Sequence, residues 1–284
     1  LWKRDDNGQI QRFAQTIPRR KMALANELPN TTEAESGYRK GQVTWALQSE
    51  NVNRLGAMIK LAGSQAALVA SEDWDSHPWF LGTPTGTVDL QTGIHRPAKS
   101  SDHITQSASV HYDEKATCPT WEKTLTAYWP EDDGMRDFIQ RAIGYSLTGS
   151  ISEQVFFCLY GQGGNGKSTF LGVLQELMGD YAYTMPFSTL EFTTRSAISN
   201  DVAALKGRRF VISSETQEDV RLNEGRIKGL TGDSTITARF LHREYFTFKP
   251  VGKFWLAFNH RPRIVDASDG LWRRLRLIEF SQSF

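Results

Sequence analysis

The chain has 284 residues, enough for one large domain or two domains of ordinary size. Its 33 Lys and Arg residues against 32 Asp and Glu residues give a net charge of +1, which excludes a uniformly basic nucleic-acid-binding surface and leaves only local patches. No apolar run approaches the roughly 20 residues that span a membrane, and Cys118 and Cys158 lack metal-site spacing. We therefore expect a cytoplasmic protein with no membrane partner and, because it begins at Leu1, a fragment of a longer chain.

The first half of the chain divides into three predicted regions. Residues 1–76 predict a helical N-terminal region with a loop around Pro29, and residues 77–117 predict a small β-rich module punctuated by glycine and proline. Residues 118–150 predict two helices joined by an acidic turn, forming a helical collar or linker. In the first region, apolar residues recur near helical spacing along one predicted packed helix: Trp45, Val52, Leu55, Met58, Ile59 and Ala62.

Residues 151–284 have a different pattern, in which short apolar strands alternate with helices. The strands are "QVFFCLY", "RRFVIS", "KFWLAF" and "RLRLIEF", and a helix "KSTFLGVLQELMG" follows the first of them. Such alternation is typical of a mainly parallel sheet. The predicted fold class is therefore α/β, a domain with a central parallel sheet that follows a mostly helical domain with a small β module.

The stretch "GQGGNGKST" fits the P-loop pattern G-x-x-x-x-G-K-[ST] between a predicted strand and a predicted helix. Glycines let backbone N–H groups form an anion nest, and the helix N-terminus favours negative charge. Lys167 would bind the β- and γ-phosphates of ATP, while the Ser168 hydroxyl would join the shell of Mg²⁺. The predicted nucleotide-binding residues are Gly161, Gly163, Gly164, Asn165, Gly166, Lys167, Ser168 and Thr169.

Two later strands end in polar residues that fit ATP hydrolysis. Glu215 follows an apolar run in "RRFVISSE", where a carboxylate would polarise the attacking water. Ser214 occupies the position at which such sites usually carry a second acid, so Mg²⁺ coordination would depend mainly on Ser168, with Ser214 acting through water. Asn259 ends the strand "KFWLAF", where its amide would contact the attacking water and the γ-phosphate as a sensor.

Basic residues form two further candidate groups. Arg273 and Arg274 precede the last strand and either solvate the surface or reach the γ-phosphate of a neighbouring subunit. In "STITARFLHREYFTFKP", basic and aromatic residues alternate around a turn, which fits either a nucleic-acid-binding hairpin or a solvated surface hairpin. Lys228 could face DNA or a neighbouring nucleotide. The DNA-binding candidates are Lys228, Arg239, His242 and Arg243.

Together, these motifs resemble the superfamily 3 helicases, especially the primase–helicases of phages, plasmids and poxviruses, over about residues 70–284. The resemblance implies an AAA+-type ATPase domain at 151–284, truncated at its C-terminus, that forms a homohexameric ring on single-stranded DNA and contacts other replication proteins. It assigns Lys167 and Ser168 to the nucleotide and Mg²⁺, and Glu215 to catalysis. It further implies that Asn259 is the sensor and that Arg273 or Arg274 is an arginine finger, which acts in trans on the nucleotide of a neighbouring subunit. His242 and Arg243 would form the tip of a hairpin that lines the channel of the ring.

The expected function is therefore an ATP-dependent DNA helicase or translocase that replicates a phage or another mobile element. Two alternatives remain: a small-molecule P-loop kinase, and a nucleotide-dependent origin-binding or scaffold module. A kinase would need a substrate pocket and lid but no arginine acting in trans. A scaffold module would keep its biological function after Glu215→Gln.

Overall fold

A computed structural model describes residues 5–66, 74–192, 200–215, 222–259 and 269–284. The contacts divide the chain into two compact units, an N-terminal one of residues 3–73 and a second one that contains residues 74–284. Within the described part of the chain, no helix combines the length and the apolar character needed to cross a bilayer.

The N-terminal unit consists of three helices, α1 (Gln9–Glu27), α2 (Glu33–Ser49) and α3 (Val52–Ala66). Thr32 begins α2 with a capping box, because its side chain and that of Glu35 each accept a hydrogen bond from the other residue's backbone. The prediction of one packed helix through Trp45 and Ala62 is wrong. The helix breaks at residues 50–51, where the Asn51 side chain accepts a hydrogen bond from the Asn53 backbone at 2.8 Å and so begins α3.

The second unit begins with a small antiparallel sheet and two helices. The sheet contains β1 (Phe80–Thr83), β2 (Gly86–Asp89) and β3 (His95–Arg96) in the order β1-β2-β3. The helices are α4 (Pro119–Tyr128) and α5 (Asp133–Leu147), and the Asp132 side chain caps α5 by accepting a hydrogen bond from the Met135 backbone. These elements agree with the predicted β module and helix pair.

A bidentate ion pair holds the β module together. Both terminal nitrogens of Arg96 lie 2.8 Å from the carboxylate of Asp102, which also accepts hydrogen bonds from the Thr87 hydroxyl and the Lys99 backbone. The hydrogen bonds from Arg96 lower the pKa of Asp102 to about 2. Because the folded-state pKa is lowered, the carboxylate stabilises the fold above its usual pKa of about 4 and loses that effect as pH falls towards about 2.

We expect Asp102→Asn to lower the free energy of unfolding by about 2 kcal/mol near neutral pH, because the variant loses the charged partner of Arg96. Urea unfolding of the variant and the wild type at about pH 6 and about pH 3 measures this, and the difference should shrink at the lower pH. Asp113→Asn, at an exposed position of the same module, is the matched control. An effect of Asp102→Asn that does not change with pH would contradict the assignment.

The main sheet has five strands, all parallel. The parallel arrangement is as predicted, but only four of the strands were predicted and the short edge strand at residues 182–184 was not. The strands and helices of this part are β4 (Phe156–Tyr160), α6 (Lys167–Met178), β5 (Ala182–Thr184), α7 (Asn200–Ala203), β6 (Phe210–Glu215), α8 (Glu224–Gly232), β7 (Ile236–Ala238), β8 (Phe246–Phe248), β9 (Lys253–Phe258), α9 (Asp269–Trp272) and β10 (Leu275–Glu279). The order across the main sheet is β10-β4-β9-β6-β5, and β7 and β8 form a separate antiparallel hairpin.

Both faces of the main sheet are buried, which explains why its strands are almost continuously apolar. On β4, Phe157 and Leu159 face the apolar cluster that contains α6, whereas Phe156 and Cys158 face a second cluster on the other side. Trp255 on β9 is fully buried and stacks on Phe157 at 4.3 Å between ring centroids. The two apolar clusters pack against both faces of the central strands and fix their positions. The loops that follow these strands therefore begin from fixed points.

Two buried cations fix the amino ends of β6 and β9. The Arg209 guanidinium donates hydrogen bonds to the carbonyls of Leu147 at 2.7 Å, Phe80 at 2.8 Å and His77 at 3.2 Å. The Lys253 ammonium donates to the carbonyls of Thr148, Ser150 and Val251. Burial lowers the pKa of both groups. Both strands are therefore tied to the end of α5 and the chain that follows it, and Arg209 also ties β6 to the β module.

Candidate nucleotide-binding site

The P-loop joins the carboxyl end of β4 to the first turn of α6. Gly164 and Gly166 have φ angles of +82° and +77°, in the left-handed region that glycine adopts without strain. Gly163, Gly164, Ser168 and Thr169 are exposed, whereas Asn165 and Lys167 are buried and Gly161 and Gly166 are half-buried. The loop therefore presents backbone and hydroxyl groups to solvent at a helix N-terminus, where an anion is favoured.

Lys167 lies folded over its own loop. Its ammonium donates hydrogen bonds to the carbonyls of Gly161 at 2.5 Å and Gln162 at 3.1 Å, and only 7% of the residue is exposed. Burial lowers the pKa of this ammonium. Charge-assisted hydrogen bonds to a phosphate are stronger than hydrogen bonds to neutral carbonyls. A phosphate at the loop can therefore compete with these carbonyls for the ammonium.

The carboxyl ends of three adjacent strands lie along one edge of the sheet. Tyr160 at the end of β4 pairs with Phe258 on β9, and Phe258 pairs with Glu215 at the end of β6. Neighbouring strands are separated by roughly 4.8 Å. Gly161, Asn259 and Glu215 therefore follow one another across this edge, with Asn259 in the middle. Ser214 is exposed and Asn259 is half-buried. The structure brings the predicted P-loop, acid and sensor positions together.

Ser168 and Ser214, the two predicted protein ligands of Mg²⁺, are both exposed, and the nucleotide and water would complete such a site. In the part of the chain that the structure describes, no group of three His, Cys, Asp or Glu residues could hold a metal ion. Ser168 lies in the first turn of α6, next to Lys167, and Ser214 lies one residue before the end of β6. Mg²⁺ commonly keeps several waters and is bound through few protein ligands and substrate phosphates.

Arg273 and Arg274 lie at the opposite edge of the sheet from the P-loop. They connect α9 to the amino end of β10, and the backbone N–H of Phe156 at the start of β4 donates to the Arg274 carbonyl. A five-residue strand is about 16 Å long, so this separation removes both arginines from the P-loop of their own chain.

The two arginines have different surroundings. Arg274 is buried and donates hydrogen bonds to the Gly270 carbonyl at 2.6 Å and the Gln154 side-chain oxygen at 2.9 Å. Burial lowers the pKa of Arg274, and the charge of Arg273 contributes to the shift. Arg273 is exposed. Lys228 on α8 lies 3.7 Å from the carboxylate of Glu224 and, like Arg274, lies next to Gly270. Lys228 is therefore near the two arginines.

The β7–β8 hairpin forms another basic surface. His242, with φ +60°, and Arg243 are exposed in the turn between the strands. The Arg239 guanidinium lies 4.6 Å from the centre of the Tyr245 ring, and Phe240 stacks on Phe246. The tip therefore combines exposed cations with partly exposed aromatic rings. The predicted DNA-binding residues fall into two groups, because Lys228 lies with the arginines while the other three lie in this hairpin.

Sequence reasoning missed three contacts that hold the P-loop. The Tyr128 hydroxyl donates a hydrogen bond to the Gly166 carbonyl at 3.0 Å. The Asn165 side chain donates to the Gln282 carbonyl at 2.7 Å, and the backbone of Phe284 donates to the Gly164 carbonyl. Their partners are 38 to 120 residues apart in sequence, and no local pattern marks them. The only available signal was the aromatic pair at 128 and 129.

Comparison with known families covers both units of the chain. Residues 1–130 match the family described as "D5 N terminal like", and residues 159–274 match a "Family of unknown function (DUF5906)". Among solved structures, the A-form apo structure of the C-terminal region of NrS-1 is similar, with a TM-score of 0.53 at 13% identity. The similar region covers 80% of this chain and 53% of the solved chain. This similarity supports the predicted α/β fold.

Similar curated proteins come from large DNA viruses. "Putative helicase L207/L206" of Acanthamoeba polyphaga mimivirus is 33% identical over 215 residues, which is 74% of this chain and 22% of that protein. "Putative helicase 022R" of Frog virus 3 (isolate Goorha) is 30% identical over 54% of this chain and 16% of that protein. "Putative primase C962R" of African swine fever virus (strain Badajoz 1971 Vero-adapted) is 28% identical over 71% of this chain and 22% of that protein.

The matched part is therefore about a fifth of these relatives' length. The helicase and primase names belong to proteins much longer than the matched part. The chain carries a D5 N-terminal-like region followed by a DUF5906 region, and its resemblance to the primase–helicases is confirmed.

Proposed function

We propose that this chain is the motor part of an ATP-dependent DNA helicase or translocase that replicates a virus, a phage or another mobile element. It would bind ATP and Mg²⁺, assemble as a homohexameric ring on single-stranded DNA and contact other replication proteins in the cytoplasm of the host cell. One observation carries this proposal: the P-loop, Glu215 and Asn259 lie along the same edge of a parallel sheet. The helicase and primase names of the viral relatives support the DNA-directed role.

The proposed roles follow from these positions. Backbone N–H groups of the P-loop and the Lys167 ammonium bind the β- and γ-phosphates, and the Ser168 hydroxyl holds Mg²⁺ with help from Ser214 through water. Glu215 accepts a proton from the attacking water. Asn259 orients that water against the γ-phosphate. Mg²⁺ would supply charge neutralisation for the phosphates.

The position of the arginines supports our proposal that hydrolysis needs a second subunit. In our proposal, exposed Arg273 reaches the γ-phosphate bound to a neighbouring chain, because it lies across the sheet from its own P-loop. Buried Arg274 supports the turn that carries Arg273 through its hydrogen bonds to Gly270 and Gln154. The sequence left open which of the two arginines is the finger. We propose that Arg273 is the finger and that Arg274 holds it in place.

The hairpin would contact DNA through its tip. We expect Arg243→Ala to weaken single-stranded DNA binding to a similar degree for all sequences and to reduce the salt slope of binding by about 1, because the variant loses one phosphate contact. DNA binding measured by fluorescence anisotropy at several salt concentrations tests this. Lys249→Ala is the control, because Lys249 is an exposed cation at the base of the same hairpin. An unchanged salt slope for Arg243→Ala would contradict DNA contact at the tip.

The proposed function is tested by measuring ATP hydrolysis with and without single-stranded DNA, together with the mass of the protein in ATP and Mg²⁺. A ring whose turnover rises with DNA supports a motor and excludes the small-molecule kinase. Nucleotide binding without turnover, in a ring or in a monomer, would favour the origin-binding or scaffold module. Phosphate transfer to a small molecule without any DNA effect would favour the kinase.

A further inference from the structure

Tyr128, which belongs to the helix pair before the main sheet, contacts the P-loop. It is the last residue of α4, is 5% exposed, and its hydroxyl donates to the Gly166 carbonyl at 3.0 Å. Its ring packs edge-on against Phe280 at 5.1 Å and Phe170 at 6.1 Å between centroids. Tyr128 thus touches the P-loop, the helix after it and the chain just beyond β10.

The fit between Tyr128 and Gly166 is close. A Cβ atom at position 166 would lie 2.4 Å from the Tyr128 hydroxyl oxygen and 2.7 Å from a ring carbon. Glycine is required there for this approach as well as for its φ of +77°. Burial raises the pKa of Tyr128, so its hydroxyl keeps its proton and remains a donor at neutral pH.

The Gly166 carbonyl belongs to the same peptide group as the N–H of Lys167. Because a trans peptide is planar, its C=O and N–H point in opposite directions, and fixing one fixes the other. The carbonyl accepts two hydrogen bonds, from the Tyr128 hydroxyl and from the Phe170 backbone. The Lys167 N–H is among the first N–H groups of α6, which have no partner within the helix and are those an anion would use.

We propose that Tyr128 is a positioning residue for nucleotide binding, which orients the Lys167 backbone N–H towards the phosphates by holding the opposite end of that peptide. The inference rests on the proposed function, since it requires a nucleotide at the P-loop. It adds a residue from outside the P-loop and the strand ends. It also implies that α4 and the nucleotide site influence one another through Tyr128.

The test is Tyr128→Phe in the 284-residue chain, which removes the hydroxyl and keeps the ring. Tyr181→Phe is the matched control, because the Tyr181 hydroxyl is also buried and hydrogen-bonded, to Gly82 and Gln106, but does not touch the P-loop. The dissociation constant of a fluorescent ADP derivative should rise roughly three- to tenfold in Tyr128→Phe and stay unchanged in Tyr181→Phe. In ATP turnover, Tyr128→Phe should raise KM with little change in kcat, as expected when binding is lost equally in the ground and transition states.

The outcomes separate this inference from the proposed function. If the wild type binds the ADP derivative and Tyr128→Phe binds it equally well, the inference is overturned and the proposed function stands. Equal weakening by Tyr181→Phe, or a fall in kcat at constant KM, would indicate only a general loss of folded protein and would also overturn the inference. If the wild type binds no nucleotide, both proposals are overturned.

Discussion

Glu215→Gln should leave nucleotide binding nearly unchanged and lower ATP turnover by at least about a hundredfold, because an amide cannot accept a proton from the attacking water. The amide has nearly the same size and also removes a negative charge close to the phosphates, so binding should be retained or slightly tighter. The measurement is the dissociation constant of a fluorescent ADP derivative beside steady-state phosphate release. This combination distinguishes loss of the catalytic step from loss of the site.

Glu279→Gln is the matched control for this prediction. Glu279 ends β10, is exposed, and pairs with Tyr160 at the same edge of the sheet, on the opposite side of β4 from Glu215. Its replacement should leave turnover within about twofold of the wild type, because its exposed side chain has no role in the proposed chemistry. Similar losses in both variants would mean that the general charge of this edge matters, and would contradict a specific role for Glu215.

Arg273→Ala should lower turnover by about a thousandfold while the protein remains folded and binds nucleotide, because an arginine finger stabilises charge in the transition state. Arg274→Ala should instead lower the melting temperature, because its removal leaves the Gly270 carbonyl and the Gln154 side chain without this donor. Thermal unfolding and phosphate release, measured on both variants, test the division of roles. The reverse pattern would assign the finger to Arg274.

Mixing variants tests whether Arg273 acts across subunits. Lys167→Ala lacks the lysine of the P-loop, and Arg273→Ala lacks the finger, so each variant alone should be inactive. In an equal mixture, about a quarter of subunit interfaces would combine an intact P-loop with an intact arginine if assembly is random. Turnover should therefore reappear on mixing. Mixed rings without any recovered turnover would contradict action in trans.

Much of the second unit could be predicted because its signals are local. The apolar runs of the main sheet are buried on both faces, so their length and their alternation with helices indicated parallel strands. The P-loop motif combines backbone freedom and charge within nine residues. Glu215 and Asn259 follow strand ends directly, so their place at the edge of the sheet follows from the parallel arrangement.

The remaining features depend on contacts between distant parts of the chain. Which of two adjacent arginines is buried depends on Gln154, which lies 120 residues away. Lys253 begins a strand, a position where an exposed charge is expected, and only the packing of α5 shows that it is buried. The break between α2 and α3 was missed because apolar residues continue near helical spacing across it, although Asn51 is a favourable cap.

The two buried cations at the amino ends of β6 and β9 limit how the proposed motor could move. Arg209 and Lys253 attach these strands to the end of α5 and to the chain around it. Sliding β6 along its axis would break the three hydrogen bonds of Arg209, and sliding β9 would break the two that join Lys253 to Thr148 and Ser150. We therefore expect the sheet and the two helices before it to rotate as one rigid body during a power stroke. Displacement of DNA would then come from the swing of the β7–β8 hairpin on that body, and elastic deformation would be confined to the loops that follow the strands.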